Sequence, residues 1–198
     1  MTGTVNVRNT RVVRWDRADF LPRIREAMVI YADAMRYSPN VVDNRVGHAR
    51  AHADRPGFRA VAGLGEDDVL LGFGYAYTSE PGQWWHDQVR HALGPLAAFS
   101  WLSGSLELCE LHVTPPRQGT GLGRALIQLL LEGAPNPAVL LSTPEGDTRA
   151  WRLYRSLGFV DLARQHLFPG DARPFAVLGA TLPLSTSAPA VRTAPPDA

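Results

Sequence analysis

The chain has 198 residues, 45% of them hydrophobic, which suits one domain with a true core and is short for two. Twenty basic residues, all arginine, oppose nineteen acidic ones, and a formal charge of +1 gives no field of the kind nucleic acid or an anionic membrane calls for. A single cysteine, Cys109, excludes an internal disulfide and a cysteine-rich metal site.

In chain order, Arg11 to Trp15 reads as a short first strand. Leu21, Ile24, Met28 and Tyr31 then recur at helical spacing and predict a helix reaching Met35. Ser38-Pro39-Asn40 breaks the chain before a polar second helix, Val41 to Ala53, which the Arg55-Pro56-Gly57 turn stops. Phe58 to Leu64 and Val69 to Thr78 read as a hairpin joined by Gly65-Glu66-Asp67-Asp68. Pro81-Gly82 opens an inserted short helix, Gln83 to Leu93, which Gly94-Pro95 closes. Leu106 to Val113 is a strand that runs straight into a glycine-rich turn and a helix. A strand from Ala138 to Ser142, a helix from about Thr148 to Leu157, a strand from Phe159 and an apolar run from Phe175 to Leu178 follow.

This order implies an α/β domain with a mixed sheet and helices on both faces, spanning residues 1–183. Residues 184–198, rich in Ser, Thr, Ala and Pro and without aromatics, are expected to form a disordered tail. No N-terminal basic-then-apolar pattern and no apolar run of roughly 18 residues is present, so a cytoplasmic protein with no membrane partner is expected.

Between strand and helix stands Gln118-Gly119-Thr120-Gly121-Leu122-Gly123-Arg124. Leu122, Ala125, Leu126, Leu129 and Leu130 behind it follow the i, i+3, i+4 pattern of an amphipathic helix. Its first-turn N–H groups lack intrahelical partners and carry partial positive charge, which suits a phosphate or pyrophosphate, and the glycines let the anion approach. A tight strand-to-helix connection would use the same residues. A nucleoside-triphosphate loop would need Lys and then Ser or Thr where Arg124-Ala125 stand, and a dinucleotide fold would want an acidic residue about 20 positions on; neither is present.

Glu107-Leu108-Cys109-Glu110-Leu111-His112-Val113, Pro115 and Gln118 to Gly123 resemble motif A of the GCN5-related N-acetyltransferase (GNAT) superfamily, Q/R-x-x-G-x-G/A after a strand. Tyr154 within Leu153 to Phe159 resembles motif B at the expected distance. The resemblance is close over Leu106 to Phe159 and topological before it. It implies a mostly antiparallel central sheet with a parallel, splayed strand pair, acetyl-CoA as co-substrate, no metal, and direct transfer to an amine, with a homodimer left open. It also implies a cofactor site of Leu111, His112, Val113, Gln118, Gly119, Thr120, Gly121, Leu122, Gly123 and Arg124. Where the family often has an Asn seven residues before the tyrosine, this chain has Asp147, which alternatively caps the following helix.

By the same resemblance Tyr154 is the general acid for the leaving thiolate, although a core tyrosine would fit the stripe Ala150, Leu153, Tyr154, Leu157 equally. Glu107 matches the base of histone-type members and is preferred to Glu110. Strand alternation puts the two on opposite faces unless a bulge intervenes. His112 reads as structural, and Cys109 as a small hydrophobe rather than an acetyl carrier. Tyr75, Tyr77, Trp84 and Trp85 are candidates for the acceptor cleft, or anchors of the inserted segment. Arg45, His48, His52 and Arg59 admit a polar cleft wall, but the first three share one face of a helix and the solvated reading is preferred. A small-molecule amine is the expected acceptor. A protein N-terminus or lysine, or a non-catalytic coenzyme-A module, are the alternatives.

Overall fold

The structure is a computed structural model that describes residues 5–184, so the expected tail lies outside the described residues apart from Leu184. Eight strands form one sheet: β1 (Val5–Val7), β2 (Thr10–Trp15), β3 (Arg59–Leu64), β4 (Leu70–Thr78), β5 (Leu106–Val113), β6 (Ala138–Pro144), β7 (Val160–His166) and β8 (Phe175–Thr181). Their order is β1-β2-β3-β4-β5-β6-β8-β7, and every neighbouring pair is antiparallel except β5 with β6. The mixed, mostly antiparallel sheet with one parallel pair is the expected one. β1 is a further edge strand that its three residues did not signal.

Among the described residues six α-helices cover both faces: α1 (Arg17–Met35), α2 (Val41–His52), α3 (Trp84–Leu93), α4 (Pro95–Leu102), α5 (Leu122–Leu131) and α6 (Arg149–Ser156). α1 starts ahead of its apolar stripe because Asp16 caps it: the Asp16 carboxylate accepts the Asp19 N–H at 2.9 Å and the Asp19 carboxylate accepts the Asp16 N–H at 3.1 Å. The stripe packs Phe20, Ile24, Met28 and Tyr31 onto Phe73, Tyr75 and Tyr77 of β4. α5 buries Leu122, Leu126, Leu129 and Leu130 on the opposite face, against Val61, Leu106, Leu108, Val139 and Leu141.

Gly94-Pro95 does not simply close the inserted helix. Gly94, at φ +73°, turns the chain, and Pro95 begins α4, where a missing N–H costs nothing. α3 and α4 pack through Val89, Ala98 and Leu102 on Leu140 and Val177. Among the described residues no helix is long and apolar enough to cross a membrane.

Candidate active site

The parallel pair opens the sheet. β5 and β6 pair only at Leu106 with Val139 and Glu107 with Leu140, and beyond these the strands part. A cavity of about 900 Å³ follows the split, walled by β5 from Leu108 to Val113 and by β6 from Leu141 to Pro144. On this side the backbone of β5 beyond Glu107 has no strand partner, so its N–H and C=O groups face the cavity or solvent.

One end of the cavity is the glycine turn. Gly119 (φ +79°) and Gly121 (φ +94°) both adopt the left-handed region, and no atom lies within 4 Å of where a Gly119 side chain would begin. The first intrahelical bond of α5 runs from the Ala125 N–H to the Gly121 carbonyl, which leaves the N–H groups of Leu122, Gly123 and Arg124 without helical acceptors. Gln118 donates to the Val113 carbonyl at 3.1 Å and the Thr120 hydroxyl to the Arg117 carbonyl at 2.7 Å, which fixes the turn to the end of β5. Arg124, Arg149 and Arg152 line the same end. Open glycines, unpaired N–H groups and three guanidinium groups fit a pyrophosphate with a further phosphate. Leu122 contributes only backbone, since its side chain is buried in the core.

Asp147 does not join this wall. Its carboxylate points to solvent and pairs with Arg152, and the cap of α6 is Thr148, whose hydroxyl accepts the Trp151 N–H at 3.1 Å. A Thr one position on serves the cap as well as an Asp would, which frees Asp147 from the helix.

The middle of the cavity is set by an irregularity in β5. Tyr77 pairs with Glu107, Ala76 with Leu108 and Tyr75 with Glu110, so Cys109 is an extra residue. The bulge returns Glu110 to the face that already carries Glu107, and His112, opposite Phe73, follows on that face. The two carboxylates nevertheless differ. Glu110 lines the cavity, whereas Glu107 does not: it is 3% exposed, and its Oε2 has no hydrogen-bond partner among the described residues. Burial pushes the Glu107 carboxyl up to about 7, against a partial offset from the Tyr77 hydroxyl and Arg55. Of the two, Glu110 is therefore the carboxylate in contact with the cavity, and Glu107 is enclosed.

Glu110 is held rather than free. His112 Nε2 lies 2.6 Å from its Oε2, and the His112 ring stands edge-on to Tyr31 at 5.1 Å. His112 thus has a partner at the cavity wall instead of a purely structural place. Across the split, Tyr154 of α6 lines the cavity between Leu153 and Ser156, and burial together with the nearby Glu110 charge raises its phenol well above the usual value. It keeps its proton throughout the neutral range. Cys109 also reaches the cavity, but burial and the two carboxylates push its thiol well up, and its nearest nitrogen, His52 Nδ1 at 3.5 Å, belongs to a ring that burial lowers to about 4. Neither thiolate nor imidazolium forms there at neutral pH.

The proposed acceptor aromatics lie elsewhere. Tyr75 and Tyr77 are 1% exposed and pack beneath α1 and α2. Trp84 is mostly exposed against Phe168, while Trp85, itself outside the cavity lining, donates its indole N–H at 3.0 Å to the Oγ of Ser142, which lines the cavity. The far end is built instead from Tyr31, Met35 and Tyr37 at the end of α1, Arg45 of α2, and Asp171 and Phe175 before and in β8. Tyr31 reads in the sequence as part of a core stripe, Met35 as the end of that helix and Arg45 as a solvated face. The face of α2 that carries Arg45 and His52 is in fact turned inward, with His52 against Tyr75 and Tyr77. His48 stays exposed, and Arg59 ties β3 to the end of α5 through the Leu130 carbonyl at 2.8 Å. Among the described residues no three His, Cys, Asp or Glu side chains gather as a metal site would need.

Comparison with known proteins finds the profile described as the Acetyltransferase (GNAT) family over residues 24–159. The "GCN5-like protein acetyltransferase Rv2170" of Mycobacterium tuberculosis is 40% identical over 196 residues, a match covering 84% of this chain and 95% of that protein. Among solved structures, yncA of Salmonella typhimurium, determined with its cofactor acetyl-CoA, superposes with a TM-score of 0.61 at 19% identity, covering 92% of this chain and 99% of that one. NAA60 of Arabidopsis thaliana, determined with a bisubstrate analogue, gives 0.56 at 17% identity, covering 88% and 99%. At such identities the structural likenesses carry the fold alone.

Proposed function

We propose, from the premise that this chain belongs to the acetyltransferase (GNAT) family, that it transfers the acetyl group of acetyl-CoA directly to the primary amine of a small molecule. The observation that carries this reading is that Glu110 and Tyr154 line the same cavity along the split between β5 and β6, one end of which is the glycine turn. In this reading the turn and its arginines hold the phosphates of the donor, and the unpaired edge of β5 runs beside the pantetheine arm and offers an N–H near Val113 to the thioester oxygen.

Glu110, kept in position by His112, takes the proton from the incoming amine as its nitrogen attacks the thioester carbon. The carbon–sulfur bond breaks, and the protonated phenol of Tyr154 gives its proton to the departing sulfur. Glu107, buried and titrating at about 7, serves as a neighbour rather than the direct base. The single-domain protein acts away from membranes, in the cytoplasm.

A second reading has its own support, since the relative from Mycobacterium tuberculosis carries the name of a protein acetyltransferase: the acceptor would then be a lysine of a protein. Thiol release from acetyl-CoA, measured over a panel of free amines and lysine-bearing peptides with the products weighed by mass spectrometry, tests both. Amine-dependent release with a product heavier by one acetyl group supports transfer. Release confined to peptides moves the acceptor to the second reading, and no amine-dependent release from a folded protein that binds acetyl-CoA contradicts transfer.

A further inference from the structure

At the acceptor end of the cavity the Arg45 guanidinium has donors that no acceptor among the described residues takes up. The Arg45 guanidinium lies over the Tyr31 ring, 4.8 Å from its centre, and the nearest carboxylate oxygen, Glu110 Oε1, is 3.8 Å away and outside hydrogen-bond reach. The other oxygen of Glu110 is taken by His112. The arginines at the opposite end differ, because Arg124, Arg149 and Arg152 each reach a side-chain oxygen of Ser156, Gln118 or Asp147. A guanidinium placed over an aromatic ring is attracted to the ring face and still has N–H donors to give, and a carboxylate can accept two of them at once. Arg36, which lines the same end from the C-cap of α1, adds a second positive charge.

We propose that Arg45 selects the acceptor by receiving a carboxylate that the acceptor carries beside its amine, while the amine faces Glu110. The inference rests on the reading of this cleft as an acetyl-transfer site. Glu110 and Arg45 stand side by side with opposite charges, as the carboxylate and ammonium of an amino acid do, so each meets its complement. Tyr31, Tyr37, Met35 and Phe175 then surround the rest of the acceptor. The carboxylate has two sources that share this chemistry: the α-carboxylate of a free amino acid, or an acidic side chain next to an acceptor lysine in a peptide.

Matched acceptor pairs test the proposal: L-phenylalanine with 2-phenylethylamine, L-lysine with 1,5-diaminopentane, and blocked peptides containing Lys-Asp with the same peptides containing Lys-Asn. Wild-type protein should favour the carboxylate-bearing member by roughly 10- to 100-fold in kcat/KM in one class of pair, the range a charge-assisted hydrogen bond gives, and that class identifies the source. Arg45→Gln should erase the preference, bringing the kcat/KM ratio of the two members close to one chiefly through the KM of the carboxylate-bearing member, and Arg45→Lys should restore part of it. Absence of any preference in wild type, or an Arg45→Gln variant that slows both members alike, overturns the proposal and leaves acetyl transfer standing. Absence of thiol release with every amine overturns the transfer reading itself, and this one with it.

Discussion

Replacing Glu107 by Gln should make the protein more resistant to alkaline conditions, in a way that only a buried, poorly partnered carboxyl produces. The folded carboxyl titrates at about 7 against an ordinary 4.5, because the side chain is enclosed and Oε2 has no partner among the described residues. Between those two values the folded state holds a proton that the unfolded chain has released, so stability falls as pH rises through the window and stays low above it. Across the whole window the loss is about 3 kcal/mol, which for a chain of this size is on the order of 6–12 °C in Tm. A glutamine amide at that place leaves a donor to satisfy, and this costs about 1–3 kcal/mol, but at every pH alike. The readout is therefore the difference between variant and wild type, followed by thermal or urea denaturation from pH 4.5 to 8.5. That difference should move in favour of Glu107→Gln by about 3 kcal/mol from the acid to the alkaline end. His52, held neutral by burial, loses stability in the opposite direction as pH falls, but it is present in both proteins and cancels. A difference that does not change with pH would mean that Glu107 is solvated or paired, and would remove the reason for excluding it as the direct base.

Gly119→Asn should keep the fold, since Asn tolerates the left-handed region, yet weaken acetyl-CoA binding by more than tenfold, an order-of-magnitude expectation for filling an anion cradle; calorimetry on the folded variant checks it. Tyr154→Phe should leave Tm and acetyl-CoA affinity nearly unchanged and lower kcat by about 10²- to 10⁴-fold, and an unchanged kcat from pH 6 to 9 would return Tyr154 to packing. NAD and ATP should stabilise the protein far less than CoA in a thermal-shift series, because no acidic ribose ligand or Walker-type Lys accompanies the turn.

What could be read from residues alone was whatever repeats with a period or carries a local motif. The α5 stripe, the glycine turn and the strand before it have this character, and each is observed where the spacing put it. The bulge at Cys109 has no such signature. Nothing in Leu108-Cys109-Glu110 says which residue is extra, yet this decides that both carboxylates share a face. Gly94-Pro95 shows the converse difficulty, since Gly94 ends one helix and Pro95 begins the next, and only packing distinguishes a restart from a stop. The far end of the cavity was hidden for a third reason. Tyr31, Arg45 and Phe175 are far apart in the chain and each has an ordinary local explanation as core or solvated surface, so their meeting is a product of topology alone.

The most direct test of acetyl transfer through this cleft is the amine-dependent release of CoA thiol by wild type, Glu110→Gln and Glu107→Gln, compared in one assay at neutral pH with acetyl-CoA saturating. Glu110→Gln should lose about a hundredfold or more in kcat with acetyl-CoA affinity intact, while Glu107→Gln stays within tenfold of wild type. Loss confined to Glu107→Gln, or full activity in Glu110→Gln, would contradict the assignment of the proton transfer to the cavity wall.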